Sequence, residues 1–279
     1  MPFKFIEAEK LYEIDPELRK QDVQMLHQWL NEQPYLPKLM EIQVAFFLHS
    51  CYNDIEHAKI TIDHYFTIRN LCPEVYTALT PDVLKTTASV GFVNILPKTT
   101  PEGYAILMTK LLDETVSNFY SVNHLSLVNM VCTLSVHQKG FANGAIAVFD
   151  MQGFSFRHLF KTNISALRHS LRHIQKGAPV RIKGIHVMNA IPLTDKIIAL
   201  LKPFLNSELY NMIHCHSSNS DTLYKYVPKA CLPEEYGGEL PSIKILNEDS
   251  LQNMLDNYEF YEWHDGQKID ESKRAVKHK

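Results

Sequence analysis

The segment Asn143-Gly144-Ala145-Ile146-Ala147-Val148-Phe149-Asp150 constrains the fold of this chain more than any other. A turn dipeptide leads into five apolar residues without interruption, and Asp150 closes the run ahead of Gly153. A strand with one wet face alternates apolar and polar residues, so an unbroken run of this length reads as a strand covered on both faces. The flanking segments agree. Residues 89–97 and 103–111 read as strands about a Thr/Pro turn, 121–137 as a helix, and 165–175 as a helix that Gly177 and Pro179 end. Residues 180–188 then read as a strand, 193–205 as a helix and 212–215 as a further strand. Strands alternating with helices predict an α/β domain with a parallel or mixed sheet.

Ahead of residue 86 the periodicity is helical. Asp15-Pro16-Glu17 supplies a cap and a first-turn proline, and Leu18, Val23, Met25, Leu26, Trp29 and Leu30 follow as a broad stripe. Leu39, Ile42, Phe46 and Phe47 make a second helical face, and Asp54 opens a third helix through Ile62 and Phe66. The predicted organisation is a small all-α domain over 1–85, an α/β domain over 86–245 and a charged tail over 246–279. The run Lys273 to Lys279 is expected to fray.

With 45% apolar and 21% charged residues in 279, the chain can bury a sizeable core. A net charge of -3 lacks the basic excess of a nucleic-acid binder. Lys4, Glu7 and Glu9 interrupt the start where a secretory signal needs apolar residues, and no stretch approaches the ~20 of a membrane span. Five cysteines without a C-x-x-C pair indicate reduced thiols, hence an expected cytoplasmic setting. No G-x-S-x-G, phosphate-loop or H-E-x-x-H signature is found, so neither enzyme activity nor a cofactor is expected. His214 and His216 would share one strand face, but two ligands are too few for a closed metal site. Asp150 is expected to bond the backbone of its own turn.

One local feature departs from this ordinary background. Residues 151–194 contain no Asp or Glu but hold Arg157, Lys161, Arg168, Arg172, Lys176, Arg181 and Lys183, a local charge of +7. Arg168, Arg172 and Lys176 are four apart and line one helix face. Strand alternation sends Arg181 and Lys183 to the side opposite Val180 and Ile182. This surface is either solvated and neutralised by acids elsewhere or a site for anionic lipid headgroups. In the helix over 193–205, Ile197, Ile198, Leu200, Leu201, Phe204 and Leu205 cover more than a core stripe needs. That helix is either deeply buried or covers something apolar.

Three segments then carry a resemblance: residues 143–154, the run Val180-Arg181-Ile182-Lys183-Gly184-Ile185-His186-Val187-Met188-Asn189, and Leu232-Pro233-Glu234-Glu235-Tyr236-Gly237-Gly238. In order and spacing the chain resembles the CRAL-TRIO family of lipid-transfer proteins, in particular its tocopherol and retinaldehyde carriers. The resemblance implies a helical domain beside an α/β domain whose sheet floors an apolar cavity closed by a mobile helix, here 193–205. It implies pocket positions at Phe149, Val180, Ile182, Ile185, Ile197, Leu200 and Leu201, and a gapless alignment adds Leu127 and Val131, with His124 and Thr133 as polar contacts. It implies an anionic-headgroup role for Arg181 and Lys183 beside Arg168, Arg172 and Lys176, and transient binding to phosphoinositide-containing membranes. Where those carriers have a basic pair after the Phe-Leu of the helical domain, this chain has His49-Ser50-Cys51. The expected function is transfer of one hydrophobic small molecule. The alternatives are a phosphatidylinositol exchanger and a lipid-dependent scaffold.

Overall fold

The computed structural model describes residues 3–190, 192–218 and 221–274, without the side chain of Pro192. Its first helices are α1 (Ala8–Ile14), α2 (Lys20–Asn31), α3 (Glu41–Ser50) and α4 (Ile55–Leu71). Their apolar stripes meet in one core that includes Leu26, Phe46, Leu48, Ile62 and Phe66. Asp54 caps α4 by accepting from the His57 N–H, as the sequence predicts. Two short helices, α5 (Pro73–Tyr76) and α6 (Pro81–Val90), each start on a proline and lead into the sheet. Part of the strand predicted over 89–97 is therefore helix.

The sheet contains β1 (Gly91–Ile95), β2 (Tyr104–Leu111), β3 (Gly144–Asp150), β4 (Ile182–Ala190) and β5 (Ile213–Ser217), side by side in chain order. β1 is antiparallel to β2, and every later pair is parallel. The crossovers are α7 (Ser121–Lys139), then α8 (Phe156–Lys161) with α9 (Ile164–Lys176), then α10 (Pro192–Leu201) with α11 (Ser207–Asn211). Parallel crossovers are right-handed almost without exception. Three successive steps in one direction therefore bring all the crossover helices to the same face. α7 packs there, with Leu127, Met130 and Leu134 against Val93 and Leu107.

The opposite face is covered by chain that follows β5. Phe92, Ile106, Met108, Ile146 and Val148 pack against Leu223, Val227, Leu232, Leu240, Ile243 and Leu246. The last two belong to α12 (Ile243–Asp256), which precedes α13 (Tyr258–Asp265). These helices correct the expectation of a charged tail over 246–279, at least through residue 274. Phe260, Tyr261 and His264 are buried, and Arg274 bonds Asp63 of α4 at 2.6 Å. The segment is charged on its solvent side, but a few large apolar residues anchor it. Residues 275–279 lie outside the described part.

Two further boundaries move. The helix predicted over 193–205 ends as α10 at Leu201, and Pro203 sits in the 3-10 turn Lys202–Phe204. The strand predicted from Val180 starts at Ile182. Among the described residues, no helix is long and apolar enough to cross a membrane.

Candidate functional site

The two sides of β3 differ. Ile146 and Val148, on the face covered by α12, are 4% and 0% exposed. Phe149, on the crossover side of the same central strand, is 36% exposed, and Ala145 and Ala147 keep accessible surface. Their neighbours Leu107 and Thr109 on β2, and Ile185 on β4, are likewise only half-buried. Apolar side chains in the middle of a five-stranded sheet, beneath three crossovers, would ordinarily be sealed. Here several of them keep accessible surface on the crossover side. Alanine at 145 and 147, against Ile and Val on the closed face, gives that side, the floor under the crossovers, the smaller side chains.

A register shift in the β3–β4 pair enlarges the floor. Ala145 pairs with Ile182, but Ile146 pairs with Gly184, so Lys183 is an extra residue. Strict alternation would send Ile182 and Ile185 to opposite faces. The bulge turns both toward the crossover helices, as the resemblance implies. Val180 is exposed just before the strand.

On α7, Leu127 and Val131 are buried at 1% and 6% with Met254, Phe260 and Tyr261, and Thr133 is buried. The half-buried row is Leu125, Val128, Cys132 and Ser135, about 100° round the helix from 127 and 131. Burial pushes the Cys132 thiol up to about 12, so it is a neutral, weakly polar wall group. His124 packs over Gly91 and lines a separate cleft of about 280 Å³ with Asp82, Thr86, Asn118 and Tyr120. A second cleft, of about 340 Å³, lies beside Lys110 and α12. Neither includes a residue of the open floor.

The cover is α10. Leu193 and Thr194 are buried, Ile197, Ile198 and Leu201 are half-buried, and Leu200 is exposed. Gln175 of α9 holds its far end, donating to the Phe204 carbonyl at 2.9 Å and accepting from the Asn206 N–H at 2.6 Å. Beside it, α8 carries two aromatics that the sequence reading passed over: Phe156, 45% exposed, and Phe160, 85% exposed. Lys196 of α10 lies 5.0 Å over the Phe156 ring. The available signal was a pair of phenylalanines four apart on a helix that also carries Arg157 and Lys161.

The basic residues divide into two groups. Arg168, Arg172 and Lys176 stand exposed on α9. Arg181 and Lys183 do not extend that row as a free surface, which corrects the expectation. Arg181 Nε donates to the His49 carbonyl at 2.8 Å, and its guanidinium lies 4.2 Å over Tyr52 and 3.8 Å from Asp15. Lys183 Nζ donates to the Tyr52 hydroxyl at 3.0 Å. The turn after α3 presents Tyr52 to both cations from a left-handed backbone, φ 54°, with Asn53 at φ 63°. His49 completes the clasp, with Nδ1 2.6 Å from Asp15 Oδ2 and Nε2 3.1 Å from the Ala142 carbonyl. Burial pushes the Asp15 carboxyl up, but the His49 hydrogen bond and the Arg181 charge outweigh it and hold the group below its ordinary value. Alternation sorts side chains by face, but it cannot see that another domain covers that face.

Asp150 behaves as expected and accepts from the Gln152 N–H at 2.9 Å. It also accepts from the Tyr236 hydroxyl at 2.6 Å and Asn189 at 2.7 Å, tying the ends of β3 and β4 to the segment over the closed face. Among the described residues, no three metal-ligating side chains are grouped to hold an ion.

Comparison with known proteins places these features. Residues 90–238 match the CRAL/TRIO domain, and residues 15–83 match the Pinta-like UBA domain. The chain is 30% identical over 226 residues to the alpha-tocopherol transfer protein-like protein of Mus musculus, covering 80% of this chain and 66% of that relative. It is 26% identical to clavesin-1 of Xenopus laevis over 235 residues, covering 81% and 70%. The crystal structure of Sfh5 superposes with a TM-score of 0.53 at 12% identity, covering 92% of this chain and 99% of that one, a likeness of fold.

Proposed function

The chain belongs to the CRAL/TRIO domain family of lipid-binding and lipid-transfer proteins, and from that premise we propose that it carries one neutral hydrophobic molecule between membranes. The observation that carries this reading is the half-open apolar floor, with Phe149 exposed at the centre of the sheet. The floor residues Leu107, Thr109, Ala145, Ala147, Phe149 and Ile185 include no charge, and the α7 row adds only a thiol and a hydroxyl. A lipid carboxylate or phosphate would have no counter-charge there, so the ligand is neutral at its buried end. Covering ~400 Å² of ligand apolar surface at ~25 cal/mol/Å² offers ~10 kcal/mol before ordering costs.

Release requires α10 to find another apolar partner, and a bilayer supplies one. Phe156 and Phe160 enter the interface first, with Arg157 on the same helix and the α9 row drawing the protein to anionic lipid. The carrier then exchanges its cargo by shifting between closed and open forms. Because Arg181 and Lys183 are engaged in the clasp, the membrane-facing charge on this reading is that of α9. Solvent extraction of the protein purified from its own source, followed by mass spectrometry, tests the proposal. A single neutral hydrophobe near one per chain is expected. Protein that is reproducibly empty and takes up no hydrophobic probe would overturn it, and a bound phosphatidylinositol would make the protein a phospholipid exchanger.

A further inference from the structure

We propose that His186, His214 and His216 form an acid-sensitive latch that pins β5 to β4 at neutral pH and frees it, together with α10 and α11, as the pH falls toward 5. The consequence for cargo rests on the carrier reading. The latch itself rests on geometry.

All of the chain from α10 through α11 hangs between these two strands. β5 is the last strand of the sheet, and its pairing with β4 carries a register shift between Val187 and Ala190, so few ladder bonds hold it. On the closed face, side chains supplement that weak ladder. His186 lies opposite His214, with ring centroids 5.1 Å apart and planes 20° from parallel. His186 Nδ1 and His216 Nε2 share a hydrogen bond of 3.0 Å, and His216 Nδ1 shares one of 2.8 Å with Thr222 Oγ1. Tyr226 lies 4.6 Å from the His186 ring and 5.0 Å from His214.

This arrangement suits neutral imidazoles. A bond between two ring nitrogens needs one N–H and one lone pair. Protonating both rings sets N–H against N–H across 3.0 Å and breaks the bond. Among the described residues, no acid acts on either ring. The charges acting on His186 are His216 and His214, and the charge acting on His216 is His214. Asp221 and Lys225, on the turn that supplies Thr222 and Tyr226, are exposed. His186 Nε2 is buried without a partner among the described residues, so a proton there gains no acceptor until the strand opens.

The sign follows from burial. Desolvation, then the two neighbouring histidines, pulls His186 from 6.5 down to about 4, and desolvation lowers His216 too. The open form binds protons that the closed form refuses. Closure is therefore fully favoured above about 6.5 and is lost as the pH falls toward 4. At pH 5 a group moved from 6.5 to about 4 raises the opening constant about 30-fold. An anionic leaflet at about −30 mV lowers the local pH by about half a unit, which couples opening to docking.

Hydrogen–deuterium exchange on the full chain at pH 7 and pH 5, corrected for intrinsic rates and free of lipid, tests the latch. Residues 201–217 should lose protection by about 30-fold at pH 5 while β2 and β3, which carry no histidine, keep theirs. His186→Gln, which keeps hydrogen-bonding groups but cannot titrate, should lose most of that pH dependence. His214→Gln, at a half-buried position, should reduce it and decides the matter if the first variant is misfolded. Equal protection at both pH values, a parallel loss in β2 and β3, or unchanged pH dependence in both variants would each overturn the proposal. Acid opening in a protein that takes up no hydrophobic probe would retire the carrier reading and leave the latch standing.

Discussion

The two faces of the central sheet are built from similar chemistry and put to opposite uses. Phe92, Ile106, Met108, Ile146 and Val148 on one side meet α12 and the segment before it and are sealed. Leu107, Ala145, Ala147, Phe149 and Ile185 on the other side are as apolar, yet they keep accessible surface beneath the crossover helices. The difference lies in what covers each face. Large residues on both partners interdigitate on the closed side, while paired alanines and a cover attached mainly at its ends leave room on the open side. The closed face supplies stability, and on the reading proposed above the open face would take the ligand.

The largest expected effect comes from exchanging a cavity for a packed residue. Ile106→Ala on the closed face should cost about 2–5 kcal/mol in urea unfolding at pH 7, whereas Ala147→Leu on the open face should stay within about 1 kcal/mol of the parent. Equal losses would mean that both faces are packed cores and would end the comparison. Ala147→Trp sharpens it further. Filling the floor should weaken uptake of a neutral polyene probe at least tenfold, about 1.4 kcal/mol, without loss of the folded state. An unchanged affinity would move the binding site elsewhere.

Two smaller effects separate docking from binding. Phe160→Glu should slow transfer to phosphatidylserine vesicles about tenfold while probe affinity and Tm hold, since that ring touches mainly solvent. A matching fall in affinity would place Phe160 in the cavity wall. Arg172→Gln should weaken association with the same vesicles about fivefold, near 1 kcal/mol, and leave neutral vesicles unaffected. An equal effect on neutral vesicles would remove the electrostatic role of α9.

Much of the scaffold was legible. The unbroken run at β3, the cap at Asp54 and the alternation of strands with helices were enough for the fold class, because backbone periodicity is a local property. The helix expected to start at Asp15, however, begins only at Lys20, and Asp15 instead ends α1. The crossover face of the sheet was legible only in part. Phe149 and Ile185 lie on it by alternation, but Ile182 reaches it through the bulge at Lys183. Phe156 and Phe160 were passed over because a six-residue helix shows less than two turns of pattern. The C-terminal helices were hidden by charge, since a few anchors such as Phe260 and Tyr261 secure a segment whose average composition resembles a tail.

The sequence by itself determined that β3 lies between two layers, that helices cross over between parallel strands and that residues 151–194 carry a local charge of +7 with no acid among them. Tertiary structure alone decided which cover is tight. It also decided that Arg181 and Lys183 bind the helical domain through Tyr52 and His49, and that three histidines from two strands form one cluster. The reason is physical: periodicity reports which side a residue faces, while burial, pairing and charge compensation depend on partners more than a hundred residues away.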